Sequence, residues 1–226
     1  MLDGNALPWV SKVKHLGHVL ESDNSMKTDI IQKRGVFIGQ VNSLLQEFHN
    51  VPPHVMINLL HIYATAVYGS NVWDIQSPGC EKLYNSYNVA IRNILNIDRT
   101  SHRYMIEPLS DKAHLKTLLA SRYTTFYRSL VDSKKFPVRY LARISEDDNR
   151  TVIGKTLSFL KTTCNVSDLS LLRPSLVKQY MVYKHVPDCD QWRVYLAKEL
   201  LEARIGGIPG FSNDEINDLL NFACRS

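Results

Sequence analysis

Cysteine is scarce in this chain of 226 residues, and its four copies lie far apart. Cys80, Cys164, Cys189 and Cys224 form no CxxC pair, so their spacing indicates neither a zinc site nor a redox motif. No segment resembles a secretory leader either. We therefore expect free thiols in an intracellular setting, and the sequence does not distinguish nucleus from cytoplasm.

Long apolar runs are also missing, so no stretch is expected to span a membrane and no membrane partner is predicted. The known catalytic signatures for phosphate, dinucleotide, acyl-transfer and zinc-protease chemistry do not occur. Glu146, Asp147 and Asp148 could bind Mg²⁺ in principle, but three adjacent acids cannot all face one ion, which favours a solvated loop. Asp188 and Asp190 are interpreted as a helix cap in preference to a nuclease pair. No catalytic residue, metal site or cofactor is predicted.

Positive charge is what the chain has in excess, and it is unevenly distributed. The formal net charge is +5 and the isoelectric point is about 9.0. Between Arg92 and Arg143, eleven Lys and Arg residues face four Asp and Glu residues, a local excess of seven. This concentration favours a polyanionic partner.

Hydrophobic periodicity predicts a mainly α fold after one short β segment. Val10–Leu20 alternates imperfectly between apolar and polar residues, and Gly17 suggests a bulge or a close approach of another backbone. Ser22, Asp23 or Asn24 can cap the helix that follows. The predicted helices cover about 22–48, 52–73, 81–94, 111–131, 137–145, 151–163, 174–184, 188–204 and 213–223.

The helix predicted at 111–131 carries the best candidate binding surface. Lys112, Lys116, Tyr123 and Tyr127 approximate one stripe, with Arg122 and Arg128 beside it. Cations neutralise phosphates, and tyrosines can stack on exposed bases or sugars. The alternative is an ordinary solvated helix face with tyrosines at its border.

Four sequence blocks occur in one order: "KVKHLGHVLESDNSMKTDI", "KRGVFIGQVNSLLQEF", "IYATAVYGSNVWDI" and "YNVAIRNILNIDRTSHRYMIEPLSDKAHLKTLLASRYTTF". From about Trp9 to Leu141 the chain thereby resembles the carboxy-terminal part of the reverse transcriptase of non-LTR (LINE-type) retrotransposons, with its primer grip, thumb and connection. From about Thr151 onward the resemblance is slight.

The resemblance implies a domain organisation and a partner. Residues 1–22 would be a palm remnant with a primer-grip-like strand, residues 23–145 a helical thumb-like domain, and residues 146–226 a smaller C-terminal helical region. The implied partners are an RNA/DNA template–primer duplex and the palm and fingers of a parent polymerase. The implied nucleic-acid-binding residues are Lys12, Lys14, His15, Gly17, Arg92, Arg99, Arg103, Lys112, Lys116, Arg122, Tyr123, Tyr127 and Arg128.

The chain departs from this family at the catalytic centre. The polymerase needs an aromatic-x-Asp-Asp turn that holds two metal ions, and "EDDN" at 146–149 has neither the aromatic residue nor the position. We therefore expect a truncated product that is not an enzyme by itself, with Mg²⁺ required only by the full-length parent. The alternative is a helical protein-interaction or structural remnant without a nucleic-acid role.

Overall fold

The computed structural model describes residues 9–23, 25–65, 67–168, 171–182, 187–207 and 209–225. Two short strands, β1 (Lys12–His15) and β2 (His18–Glu21), precede a series of helices. In the described residues the α-helices are α1 (Lys27–Glu47), α2 (Pro53–Leu59), α3 (Pro78–Leu95), α4 (Ile106–Ser110), α5 (Leu115–Val131), α6 (Phe136–Glu146), α7 (Val152–Cys164), α8 (Pro174–Val182), α9 (Gln191–Gly206) and α10 (Asn213–Cys224). The mainly α prediction is confirmed.

The N-terminal β segment pairs with itself. Strands β1 and β2 are antiparallel, with Lys12 opposite Glu21 and His15 opposite His18. The bulge predicted at Gly17 is wrong, because Leu16 and Gly17 both have positive φ, at 47° and 80°, and form a two-residue turn. The alternative, a close approach of another backbone, is also wrong for the described residues, since a Cβ at Gly17 would have no neighbour within 4 Å. Turns with two positive φ values match the natural twist of a hairpin.

The predicted helix at 52–73 is also wrong in its second half. Helix α2 ends at Leu59, widens into a π-helical turn over Leu60–Ala64, and is followed by a short 3₁₀ turn at Ser70–Val72. The hydroxyl of Thr65 donates to the carbonyl oxygen of His61 at 2.6 Å, and the Thr65 amide bonds the Leu60 carbonyl. These bonds close the wide turn, so the chain leaves the helix axis there.

Helix α3 lies at the centre of the core, between α1, α2 and α5. The side chains of Tyr84, Tyr87 and Ile91 are fully buried on it. Buried apolar residues from α3, α5, α7, α9 and α10 belong to one cluster. The boundary predicted at 145/146 therefore does not separate two hydrophobic cores. Within the described residues, no helix is both long and apolar enough to cross a bilayer.

The acidic stretch at 145–150 makes a tight connection between α6 and α7. Thr151 caps α7 by accepting a hydrogen bond from the Gly154 amide at 2.9 Å. A Cβ at Gly154 would lie 2.2 Å from the carbonyl oxygen of Asp148, so the backbones approach closely there. Asp148 pairs with the exposed Arg150.

A buried carboxylate, Asp29 on α1, fixes the hairpin to the helices. Its oxygens accept hydrogen bonds from His18 Nδ1 at 3.0 Å, from the Val19 amide at 3.1 Å, and from Trp73 Nε1 at 2.9 Å. Asp29 and Trp73 are fully buried. A carboxylate tolerates such burial only when its acceptor capacity is used, so these three donors explain its position.

A second carboxylate, Glu21 at the end of β2, caps α1 from outside the helix. It accepts bonds from the amide and the hydroxyl of Thr28, at 2.9 and 2.8 Å, and pairs with Lys12. The Thr28 amide bond is the main reason that the pKa of Glu21 falls to about 2. Glu21 thus takes the place of the cap predicted at Ser22 or Asp23, and the cap predicted at Asn24 lies outside the described residues.

Replacing Asp29 by asparagine should lower the free energy of unfolding by about 2–4 kcal/mol, because an amide nitrogen would face one of the three buried donors. Urea denaturation measures the change. The control is Asp132→Asn at an exposed aspartate, which should stay within about 0.5 kcal/mol of the wild type. Equal effects of the two substitutions would contradict the role given to Asp29.

Candidate nucleic-acid interface

The tip of the hairpin projects into solvent and carries positive charge. Lys14 and His15 are exposed just before the turn, and Leu16 is 75% exposed within it. A leucine at φ 47° is unusual, since its Cβ crowds the backbone in the left-handed region. Strain of this kind persists only where the surrounding structure holds the chain, which the paired strands do here.

The loop after the π-helical turn supports the hairpin from one side. The ring of His18 stacks on Tyr68, with centroids 5.3 Å apart and planes at 29°. Gly69 has φ 75°, and a Cβ on it would lie 1.8 Å from Cε1 of His18. Only glycine therefore fits at this position of the "YGSN" block while His18 stays bonded to Asp29.

Tyr68 is the exposed aromatic residue beside the hairpin. It is 67% exposed, and Lys33 Nζ lies 6.0 Å from its ring centroid. An exposed ring bordered by cations can stack on bases or sugars. Sequence reasoning missed both residues, since Lys33 comes from α1 and no local pattern links it to Tyr68.

A groove continues from Tyr68 along α5. Its volume is about 630 Å³, and it lies between residues 67–71 and the α5 residues Arg122, Thr125, Phe126 and Ser129. Arg122 Nη1 donates to the Thr65 carbonyl oxygen at 2.8 Å, so this cation is anchored at the groove wall. Burial lowers the pKa of its guanidinium from the ordinary value.

Lys112 lies just before the N-terminus of α5, outside the helix. Its charge and that of Arg122 both act on His61, whose pKa falls to about 4, chiefly because of burial. His61 is therefore neutral at pH 7 and bonds the hydroxyl of Tyr87 at 2.8 Å.

We use the name grip surface for Lys14, His15, Lys33, Tyr68 and Arg122.

Several of the predicted binding residues have structural partners elsewhere. Lys12 contacts Glu21 and Thr28 on the hairpin. Arg92 donates to the Ser101 carbonyl oxygen at 2.6 Å. Neither side chain lines the groove between residues 67–71 and α5.

The stacking role predicted for Tyr123 and Tyr127 does not fit the structure. Their exposed fractions are 1% and 5%, and the hydroxyl of Tyr127 donates to Glu146. Helices α6 and α8 pack on α5 and cover this side of it, so the predicted stripe is partly an interior face. Arg128 on the same helix and Arg99 in the turn after α3 are exposed.

Arg103 and Lys116 meet at a different place, where both pair with Glu81, at 3.8 and 3.1 Å. They line a cleft of about 520 Å³ that also contains Glu107. The cations predicted between Arg92 and Arg143 are thus divided between at least two surfaces. In the part of the chain that the structure describes, no cluster of three His, Cys, Asp or Glu side chains could hold a metal ion.

Comparison with protein-family models, with curated proteins and with solved structures gives no match to this chain. Function therefore has to be inferred from the residues and their geometry.

Glu107 has an unusual environment within the second cleft. Its Oε1 accepts a hydrogen bond from the His114 amide at 2.7 Å. Burial raises the pKa of Glu107 to about 7, although the His114 bond and the charge of Arg103 oppose the rise. The folded state therefore holds a proton between about pH 4.5 and 7 that the unfolded chain releases, so folding stability falls as pH rises through this window.

Glu107→Gln should remove this pH dependence while keeping the acceptor for the His114 amide. Relative to the wild type, the variant should gain about 2–3 kcal/mol of unfolding free energy between pH 4.5 and pH 8. Urea denaturation at several pH values measures the difference. Glu202→Gln, at an exposed position on α9, is the control and should show no such trend. If the unfolding free energies of Glu107→Gln and the wild type changed with pH in parallel, the raised pKa of Glu107 would be contradicted.

Proposed function

We propose that this chain is a non-catalytic module that binds nucleic acid, resembling the primer grip and thumb of non-LTR retrotransposon reverse transcriptases. The grip surface would contact the backbone of a template–primer duplex, and the helices behind it would hold the hairpin in place. The observation that supports the proposal most strongly is the arrangement around the hairpin. Its tip is charged, His18 stacks on the exposed Tyr68, and Tyr68 borders the groove that contains Arg122.

Charge and shape on the grip surface support this proposal. Lys14, Lys33 and Arg122 come from three different elements, and Arg122 lines the groove together with Tyr68. Lysine and arginine side chains neutralise phosphates and release counterions, which supplies non-specific affinity. Tyr68 adds a ring that can stack on a terminal base or a sugar.

The acidic residues give no support for catalysis. Asp148 is paired with Arg150, and Asp190 accepts a hydrogen bond from the Tyr104 hydroxyl at 2.8 Å. Asp190 occupies the N-cap position of α9, as predicted, but its side chain makes no capping bond there. Two-metal phosphoryl transfer needs carboxylates that converge on shared ions. We propose that a parent polymerase's palm would supply them.

A protein-interaction role is the second candidate, and the apolar surface of the hairpin favours it. Trp9 is 89% exposed, Leu16 is 75% exposed and Val13 is 50% exposed. Apolar side chains on a short two-stranded sheet can pair with further protein surface, such as the palm and fingers of a parent polymerase. In that case Lys14 and Lys33 would contribute little to nucleic-acid affinity.

The Lys14→Gln/Lys33→Gln double variant should weaken binding to an RNA/DNA duplex and flatten its salt dependence. Two lost phosphate contacts reduce the slope of log affinity against log salt by about 2, because fewer counterions are released. Tyr68→Ala should weaken binding by about 1–3 kcal/mol and leave the slope unchanged. Fluorescence anisotropy of a labelled duplex at several salt concentrations measures both effects.

The matched control is Lys178→Gln/Lys198→Gln, which neutralises two exposed lysines on α8 and α9. It should bind with the wild-type salt slope. Wild-type protein that fails to bind the duplex at low salt would remove the nucleic-acid proposal. Equal losses of duplex affinity in the two double variants would show that binding depends on the total charge of the chain and not on the grip surface.

A further inference from the structure

The cleft that contains Glu107 lies on a different part of the molecule from the grip surface. It is formed by the 3₁₀ turn Arg103–Met105, by α4, by the start of α5, by α7 and by α8. Its volume of about 520 Å³ is in the range of pockets that hold a small organic molecule. None of its described lining residues belongs to the grip surface, so ligand binding there is independent of nucleic-acid binding.

One part of the cleft wall is apolar. Phe159 of α7 and Met181 of α8 line it, and both pack against the hydrophobic core. The ring of Phe159 is half-buried, so part of it is accessible from the cleft. Lys116 Nζ lies 5.4 Å from the centroid of that ring, which places a positive charge beside the apolar surface. An apolar wall with a few fixed polar groups is the usual composition of a ligand pocket.

The cations that line the cleft are incompletely neutralised. Arg103 and Lys116 share one acidic partner, Glu81. Lys116 Nζ donates to it at 3.1 Å, whereas Arg103 Nη1 is 3.8 Å from it, which is too long for a hydrogen bond. In the part of the chain that the structure describes, the half-exposed guanidinium of Arg103 donates no hydrogen bond, although it carries five N–H donors. Arg103 therefore has donors available for a further acceptor.

A third cation adds to the positive potential behind the cleft. Arg92 on α3 donates to the Ser101 carbonyl oxygen, but its Nε is buried and has no acceptor among the described residues. Burial lowers the pKa of Arg92, and the charge of Arg103 lowers it further, so the two cations act on each other. Donors and positive charges thus exceed acceptors in this region.

Glu107 is the acid that lines the cleft, and its charge changes near neutral pH. Burial raises its pKa to about 7, so it is about half protonated at pH 7. His114 accepts the Lys116 amide at Nδ1 and contacts Asn88 through Nε2, so its ring is neutral. Of the other groups on the surrounding elements, lysine and arginine stay cationic and tyrosine stays neutral at this pH, and Asp190 before α9 pairs with Arg193 at 3.5 Å. Two lining cations against Glu81 leave one positive charge when Glu107 is protonated and none when it is ionised.

We propose that this cleft binds a small organic anion that has a flat apolar body. A carboxylate or phosphate group of the ligand lies against Arg103 and Lys116, and the flat body lies against Phe159. The anion supplies the acceptor that Arg103 lacks, and the planar guanidinium can donate two parallel hydrogen bonds to either group. Protonation of Glu107 leaves the cleft positive, so the anion binds more tightly below pH 7.

Three probes with one ring system test the ligand class: 1-naphthoate, 1-naphthyl phosphate and the neutral 1-naphthamide. The two anions should bind with dissociation constants of about 0.1–1 mM, and the amide should bind about tenfold more weakly. The ratio between the two anions distinguishes carboxylate from phosphate recognition. An NMR titration of the amide-labelled chain measures the affinities and should place the shifts around Arg103, Thr117 and Phe159.

Substitutions in the cleft test the roles of its charges. Arg103→Gln should weaken 1-naphthoate binding about tenfold or more, because charge-assisted hydrogen bonds are lost. The matched control, Arg173→Gln, removes the same charge at an exposed position that does not line the cleft and should bind as the wild type does. At about pH 8, Glu107→Gln should bind 1-naphthoate several-fold more tightly than the wild type, since no ionised carboxylate opposes the anion. At about pH 6 the two affinities should agree within about twofold.

Urea denaturation verifies that each variant is folded before its affinity is compared. Wild-type protein that shows no saturable shifts with either anion up to about 10 mM would overturn the proposal. Equal affinities for 1-naphthoate and 1-naphthamide would also overturn it, as would unchanged binding by Arg103→Gln. Shifts confined to the grip surface would do the same. Duplex binding is measured separately, so none of these results decides the nucleic-acid proposal.

Discussion

The bonds to Asp29 are the constraint on which the candidate interface depends. One buried carboxylate on α1 joins the hairpin, 10 to 11 residues earlier in the chain, to Trp73, 44 residues later. A two-stranded hairpin is marginal in water unless it packs on something larger. Asp29 supplies directional contacts to the base of the hairpin, and Lys14 and His15 near its tip stay exposed.

The same bonds explain why an exposed aromatic ring lies beside the charged tip. His18 is fixed by Asp29, Tyr68 stacks on His18, and Gly69 provides the space for that ring. Arg122 is placed independently, by its bond to Thr65 at the end of the π-helical turn. The grip surface is therefore assembled from four separate segments through buried or half-buried contacts, and its cations do not depend on one helix face.

Much of the helical architecture could be predicted from the sequence, because α1, α3 and α5–α10 each carry an apolar face at helical spacing. The π-helical turn could not, since it depends on the hydroxyl of Thr65 bonding a carbonyl one turn back. The hairpin turn was missed because Leu16 occupies a position where Asn, Asp or Gly is usual. Tyr123 and Tyr127 were assigned to the surface because local periodicity does not show that neighbouring helices cover that side of α5. Tyr68 and Lys33 meet only in three dimensions, so no sequence spacing indicated them.

The most direct test is an NMR titration of the amide-labelled chain with a short RNA/DNA duplex. Binding through the grip surface predicts shifts concentrated at residues 14–18, at residues 67–71 and around Arg122, with the amide of Val19 still protected by its bond to Asp29. Shifts confined to α9 and α10, or to the cleft of Glu107, would contradict this account. So would a spectrum that the duplex leaves unchanged.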